Sequence, residues 1–421
     1  MSRVVDIVRP VCCGIDVHKS FLVACIATTG ARNHTTHQIR RFSTFKGDLQ
    51  RLADWLLANN CKDVCMESTG KYWIPVFNVL EKTANVCLTH PKYVKAIKGK
   101  KTDKKDAKWI AELFKCDLVR SSFIPPPLTR HLRELCRCHA KLACMNSSEK
   151  NRGQNCLTVC NFKLDDVFSD VFGASATRIL DKLIELGHSD FDVAPLLHKR
   201  CKATPEQVKA AIDGELSPAQ SQKLALIREH MKQSENLQST LESSATKLAA
   251  PYQPQIDLLM TVPGIGSQFT AIRILAEIGV DMSVFETAKQ LTSWAGLAPQ
   301  NNESANKKKT TRIARAGAFL KPLLVQCALA AVSSNKYPWL KDKYRALKKR
   351  RGHKKAVIAI ARKLLAAIWN MLAKNEPYNY ELHQKSDPPP QNRLLTPEQA
   401  FALLRKHGFR IVDTAAQSIS I

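Results

Sequence analysis

Short apolar runs that alternate with helical patterns over the first 125 residues most limit the fold of this chain. "VCCGIDV" and "FLVACIAT" predict two adjacent strands, and "HQIRRFST" predicts a third after the turn "TTGARN". "FKGDLQRLADWLLANN" has apolar residues at helical spacing. Strand "DVCMES", helix "YWIPVFNVLEK", strand "NVCLTH" and a helix from near Asp103 follow. A strand hairpin followed by this alternation predicts an α/β domain that ends at the rigid segment "IPPPL".

The rest of the chain has a helical pattern. We expect an all-α, helical or coiled-coil middle that carries an insert at about 161–220, and a mainly α C-terminal domain. The predicted domains are 1–125, 126–250, 251–345, and a basic helical tail with a terminal extension at 346–421.

Leucines in the middle region follow heptad-like steps of four and three. One set lies at Leu128, Leu132, Leu135, His139 and Leu142, and a second lies at Leu237, Leu241, Ser244 and Leu248. This pattern is typical of an antiparallel helical hairpin or of a coiled coil between subunits. Ordinary helix packing within one subunit explains it equally well.

The charge balance predicts a polyanionic partner. The 421 residues carry a formal net charge of +27, and 44% of them are hydrophobic, which excludes a disordered chain. The apolar stretch "AVIAIARKLLAAIWNMLA" is interrupted by Arg362 and Lys363, so we interpret it as a buried amphipathic helix and expect no membrane span. The N-terminus has no secretory pattern and the fourteen cysteines are scattered, which favours reduced thiols in a cytoplasm.

Two aspartates lie inside the lysine-rich segment "KGKKTDKKDAK". Asp103 and Asp106 are explained without any function if they cap a helix and begin its first turn. Asp16, however, lies within an apolar strand, where an unpaired carboxylate is unfavourable, and Glu67 ends another strand. Four carboxylates that converge at one sheet edge suit Mg²⁺, which can act on a phosphodiester.

The neighbouring cations complete this interpretation, because lysines attract the phosphate backbone on which the metal would act. The candidate nucleic-acid contacts in this segment are Lys98, Lys100, Lys101, Lys104 and Lys105.

Together, "GIDVHK", "MESTGKYW" and "KTDKKDA" resemble the D-E-D-D signature of the insertion sequence one-ten family of bacterial transposases. "VPGIG", "LTSWAGLAP" and the basic segment after them resemble the C-terminal domain of that family. The resemblance implies a RuvC/RNase H-like N-terminal domain and metal binding by Asp16, Glu67, Asp103 and Asp106. It also implies a Mg²⁺-dependent oligomeric DNA recombinase that acts on donor and target DNA and is guided by a structured RNA from its own element.

The resemblance further implies a serine nucleophile that becomes covalently joined to DNA. Ser304 in "GLAPQNNESANKKK" matches its position, although Ala305 stands where the family usually has glycine. Ser267 and Ser293 are the alternatives. Nearby cations could stabilise phosphate charge: Lys307, Lys308, Lys309 and Arg312.

Two questions stay open from the sequence. "VPGIG" suits either a backbone contact to phosphate or a plain tight turn. The four acids would also serve a junction nuclease that activates water without a serine, and the charge alone would suit a non-catalytic nucleic-acid-binding protein.

Overall fold

A computed structural model of the chain describes residues 6–31, 33–68, 70–94, 102–299, 302–304, 307–310, 312–381 and 397–406. The chain divides into two compact units, Met1–His131 and Leu132–Ile421.

The first unit is a sheet covered by helices on both faces. Its elements are β1 (Val11–Val17), β2 (Phe21–Thr29), β3 (Thr35–Ser43), α1 (Lys46–Ala58), β4 (Asp63–Glu67), α2 (Trp73–Leu80), β5 (Asn85–Thr89), α3 (Pro91–Val94) and α4 (Asp103–Lys115). The five strands have the order β3-β2-β1-β4-β5. β1 pairs antiparallel with β2 and parallel with β4, so the sheet is mixed.

Alternation along the strands separates two cores. Ile15 of β1 and Met66 of β4 pack on the face covered by α1 and α2. Cys12 and Cys65, on the same two strands, pack on the opposite face against Ile110 of α4. Successive side chains of a strand point to opposite faces, so odd-numbered β1 residues face α1 and even-numbered ones face α4.

The second unit is helical in its described part, apart from one small hairpin. The long helix α5 (Pro127–Val159) begins in the first unit and is followed by α6 (Leu164–Val167), α7 (Ala174–Leu186), α8 (Pro205–Ala211), α9 (Pro218–Leu248), α10 (Gln253–Met260), α11 (Gln268–Ile278) and α12 (Ala288–Trp294). Then come β6 (Asn302–Ser304), β7 (Lys307–Thr310), α13 (Leu320–Ser333), α14 (Pro338–Arg351), α15 (His353–Lys374) and α16 (Pro397–Lys406). Short 3₁₀ turns lie at Ala194–Leu196, Ala250–Tyr252 and Met282–Val284.

An α/β N-terminal part followed by a helical remainder agrees with the predicted fold class. The more specific RuvC-like fold and a coiled coil between subunits stay predictions.

The contact between α5 and α9 within the chain departs from the predicted heptad pattern at Leu237. Leu237 is 54% exposed, whereas Met231 and Ser234 are buried. The Ser234 hydroxyl donates a hydrogen bond to the Leu142 carbonyl oxygen at 3.4 Å. A small residue lets the two helices approach here, and the exposed Leu237 lies outside this contact.

Helix α15 is long and apolar enough to cross a membrane by length and composition. In the structure it lies against α12, α13 and α14, and its residues Ile360, Leu364 and Leu365 are buried. This packing agrees with its interpretation as a core helix.

Candidate metal site of the N-terminal unit

Asp16 lies near the end of β1, on the face that α4 covers. It is 9% exposed, and its register partner on β2 is Val23, which packs against Ala107 of α4. Gly14, two residues earlier, faces the same helix. The strand therefore presents a carboxylate to α4 at the point where the sheet ends.

The position of α4 is set by small residues. A Cβ on Gly14 would overlap the Ala111 nitrogen and the Ala107 oxygen of that helix. Ala107 and Ala111 are themselves fully buried. Because Asp103 lies one helical turn before Ala107, this close approach places Asp103 over the carboxyl end of β1.

Thr102, not Asp103, is the N-cap of α4. Its side chain accepts a hydrogen bond from the Lys105 backbone nitrogen at 3.4 Å. The alternative in which Asp103 caps the helix is therefore wrong, since Thr102 is also a favoured cap type and lies one residue earlier. Asp103 and Asp106 both lie in the first turn.

Asp16 and Asp103 meet at His18. The His18 Nε2 atom lies 3.3 Å from Asp16 Oδ2 and 3.4 Å from Asp103 Oδ1. One ligand atom from each of the three residues lies within 4.8 Å of the others. His18 Nε2 is buried and has no partner of hydrogen-bond geometry among the described residues.

The electrostatics of this group favour binding of a cation. Burial is the largest influence on the Asp16 carboxyl and raises its pKa. His18 opposes the shift, while the charges of Asp106 and Asp103 add to it. Like charges brought together in a desolvated place favour protonation, and a bound cation would remove that penalty.

Glu67 ends β4 directly after Met66, which is the register partner of Ile15. Since Met66 faces α1 and α2, alternation turns Glu67 toward the α4 face, which it shares with Asp16. Glu67 and Asp106 lie outside the close group of Asp16, His18 and Asp103.

The donor set suits a divalent ion. Two carboxylates supply the hard oxygen ligands that Mg²⁺, Ca²⁺ and Mn²⁺ prefer, and His18 adds an imidazole nitrogen. A buried nitrogen that lies beside two carboxylates without hydrogen-bond geometry to either fits such an ion. Sequence reasoning did not select His18. The signal for it was its position two residues after Asp16 in "GIDVHK", a spacing that keeps both side chains near one sheet face.

Some of the predicted nucleic-acid-binding cations lie within the described residues. Lys104 and Lys105 are exposed on α4, and Arg312 is exposed after β7. Lys307, Lys308 and Lys309 belong to β7. Lys98, Lys100 and Lys101 lie outside the described residues.

Ser304 ends β6, where the backbone pairs with Lys307 of β7 in an antiparallel hairpin. Ala305 lies outside the described residues. The alternative Ser267 has a structural role, because it is the N-cap of α11 and accepts from the Thr270 nitrogen at 3.2 Å. Ser293 is exposed in α12.

The segment "VPGIG" forms the turn between α10 and α11. Gly264 has φ +84°, and a Cβ there would overlap the Cys327 carbonyl oxygen of α13. This glycine is explained by its backbone conformation and close packing. Gly266 faces open space and carries no such requirement.

Comparison with protein families gives two matches along the chain. A transposase family model of the DEDD, IS110 type matches residues 13–162. A second model, the transposase IS116/IS110/IS902 family, matches residues 256–345.

Curated relatives are similar over shorter stretches. The chain is 32% identical over 139 residues to a transposase for insertion sequence element IS1111A of Coxiella burnetii, which is 31% of this chain and 36% of that protein. It is 37% identical over 130 residues to a pilin gene-inverting protein of Moraxella bovis, which is 30% of this chain and 39% of that protein. The aligned parts thus span less than two-fifths of either relative.

The two models are separated along the sequence, and together they cover more than half of the chain. The first includes Asp16, His18, Glu67, Asp103 and Asp106, and the second includes Ser304. The chain belongs to the IS110 family of transposases.

Proposed function

We propose that this protein is the transposase of an IS110-family insertion sequence, and that it cuts and rejoins DNA through a serine–DNA intermediate. The observation that supports this most is the meeting of Asp16, His18 and Asp103 at the carboxyl end of β1. It lies within the segment that matches the DEDD transposase model.

Asp16, Glu67, Asp103 and Asp106 would hold the metal, for which we propose Mg²⁺. A bound divalent cation supplies charge neutralisation at the phosphate oxygens of the scissile bond. The chain contributes a desolvated carboxylate on a rigid strand and two more carboxylates on a helix fixed against it. Such preorganisation avoids a rearrangement during the reaction.

Ser304 is the proposed nucleophile. Its Oγ forms a bond to phosphorus while the bond from phosphorus to the departing strand oxygen breaks. The proton that Oγ loses ends on the released hydroxyl, so the step is a balanced transesterification. The phosphoserine keeps the phosphodiester bond energy for rejoining, and the cations at Lys307, Lys308, Lys309 and Arg312 favour the added negative charge.

Donor and target DNA are the proposed substrates, and an element-encoded structured RNA is the proposed guide. The net charge of +27 supports partners with phosphate backbones. We further propose a homo-oligomer, a dimer or a tetramer, in which one subunit supplies the acids and another the serine. The protein would act in the bacterial cytoplasm at the nucleoid.

Trapping of a covalent adduct tests the serine step. Wild-type protein, a labelled donor-end or junction substrate and Mg²⁺ should give a protein–DNA adduct that survives denaturation. Ser304→Ala should abolish it and keep nucleic-acid binding, whereas the exposed Ser293→Ala should behave as wild type. An adduct that persists in Ser304→Ala would contradict the assignment.

The same experiment separates the alternatives. Metal-dependent cleavage without any adduct would identify a junction nuclease that activates water. Binding with neither cleavage nor adduct would identify a non-catalytic nucleic-acid-binding protein.

A further inference from the structure

Three side chains form a row that starts at the acid cluster and crosses the sheet. The rings of His18 and Phe21 lie 4.6 Å apart with an interplanar angle of 34°. The Arg41 guanidinium carbon lies 3.8 Å from the centroid of the Phe21 ring. We call His18, Phe21 and Arg41 the β-face row.

Strand register explains why the row lies beside the metal site. Val23 of β2 pairs with Asp16 of β1 on one side and with Arg41 of β3 on the other. Directly opposed residues of antiparallel strands project from the same face, so Asp16 and Arg41 share the face that α4 covers. Two strand spacings separate them, which is about 10 Å.

Arg41 is exposed, and no carboxylate forms an ion pair with it in the described part of the chain. Its contact with Phe21 is a cation–π arrangement, which fixes the guanidinium without neutralising it. An arginine held flat on a ring keeps the donors at its edge available for phosphate.

The neighbouring Arg40 provides the contrast. It points to the other face of the sheet, where its guanidinium carbon lies 5.2 Å from the Trp55 ring centroid. Both arginines therefore lie on the same strand with the same charge and the same kind of aromatic support. Only Arg41 shares a face with Asp16.

We propose that Arg41 binds a backbone phosphate of the DNA strand next to the scissile phosphodiester, and that the β-face row is the path of that strand across the sheet. This inference rests on the proposed function. The acid cluster repels a polyanion, so a cation fixed about 10 Å away would offset that repulsion and set the position of the strand. A planar guanidinium suits the task because it can donate two parallel hydrogen bonds to phosphate oxygens.

Binding measurements test this without relying on turnover. The probes are a single-stranded DNA 20-mer and an RNA of the same sequence, with binding followed by fluorescence anisotropy in EDTA over a range of KCl concentrations. For DNA, Arg41→Gln should weaken binding about fivefold to tenfold. It should also reduce the slope of log K against log[KCl] by about 0.7, the value for one phosphate contact on a single strand.

Three further variants make the result specific. Arg40→Gln should bind DNA as wild type does. Arg41→Lys should keep the salt slope and lose part of the affinity, because lysine keeps the charge without the planar fork. Phe21→Leu should give an intermediate loss, since it removes the ring but leaves Arg41 in place. Circular dichroism of each variant reports whether the fold is kept.

Equal losses in Arg40→Gln and Arg41→Gln, or no loss in Arg41→Gln, would overturn the inference. A loss for RNA alone would overturn the assignment of the row to the DNA strand. These outcomes differ from a failure of the proposed function, which would appear as wild-type protein that forms no adduct with DNA, whether or not it cuts DNA.

Discussion

The helices α4 and α14 contain four lysines each but differ in their other charges and in their surroundings. Helix α4 buries Ala107, Ile110, Ala111 and Phe114, and the aspartates of its first turn lie beside a strand. Helix α14 buries Leu340 alone and is basic along its last turn. Its acid, Asp342, pairs with Arg345 of the same helix at 3.6 Å, and both side chains are exposed.

The difference separates two roles of a lysine-rich helix, which are the attraction of phosphate and the formation of a metal site. Lysines and arginines on either helix can attract phosphate, and sequence alone reveals that property. A metal site also requires carboxylates that lie close to other titratable groups in a partly desolvated place. Whether a helix supplies them depends on what it packs against. Asp103 lies beside His18 and Asp16 across the fold, whereas the ion pair of Asp342 within the described residues is to Arg345 of its own helix.

The largest difference should appear when one acid on each helix is replaced and the two variants are compared. Asp103→Asn should lower metal-dependent DNA cleavage on the order of 10²–10³-fold, because a charged ligand at the reacting phosphate is lost. Asp342→Asn should cleave at the wild-type rate, since its ion pair is exposed and local. Cleavage rates at saturating substrate provide the measurement, and equal rates in the two variants would contradict the comparison.

A smaller effect should follow from disturbing how α4 packs on β1. Gly14→Ala should lower the free energy of unfolding by about 1–3 kcal/mol, since its Cβ would overlap backbone atoms of Ala107 and Ala111. It should also weaken metal binding, because Asp103 moves with the helix.

Gly47→Ala is the matched control, because its Cβ would meet open space in α1. It should be neutral or stabilising by up to about 1 kcal/mol. Denaturant unfolding and metal titration measure both consequences. A Gly14→Ala protein as stable as Gly47→Ala would show that α4 does not depend on the glycine.

The smallest effects concern the pH dependence of stability. Two acids around α4 should change the free energy of unfolding in opposite directions as the pH rises. Burial raises the pKa of Asp16, so the stability that it contributes is complete below its unfolded pKa and is lost as pH rises through its folded pKa. In EDTA, Asp16→Asn should therefore match or exceed wild-type stability at neutral pH. Its advantage should shrink as the solution is acidified.

Glu112, near the other end of α4, should show the reverse. Burial acts to raise its pKa, but hydrogen bonds from Lys115 and His37, each at 2.6 Å, outweigh it and lower the pKa. Its stabilising contribution is present above the unfolded pKa and is lost as pH falls through the folded pKa. Glu112→Gln should be less stable than wild type at neutral pH, and thermal unfolding at several pH values compares both variants. A change in stability relative to wild type that has the same sign for both variants at neutral pH would contradict this prediction.

Much of the first unit could be predicted from sequence, for a physical reason. Its strands and helices have strong apolar periodicity and clear turn residues, so β1, β2, α1, β4 and β5 fall where the patterns place them. Asp16 was selected because a carboxylate within an apolar strand is unfavourable without a partner.

Other features depend on tertiary contacts that one sequence does not reveal. His18 enters the site because the chain turns after β1 and brings Nε2 between two carboxylates. The α5–α9 seam uses the buried polar Ser234 instead of Leu237, and hydrophobic spacing gives no weight to a serine. Thr102 caps α4, although an aspartate one residue later is the more favoured cap by type.

The central claim is that Asp16 and Asp103 hold a divalent cation. Crystals of wild-type protein and of Asp103→Asn, soaked in Mn²⁺ and measured by anomalous diffraction, test it most directly. The account predicts an anomalous peak within ligand distance of Asp16 and Asp103 in wild type and its loss in Asp103→Asn. A wild-type protein with no peak at that place, or a peak that Asp103→Asn leaves unchanged, would contradict the account.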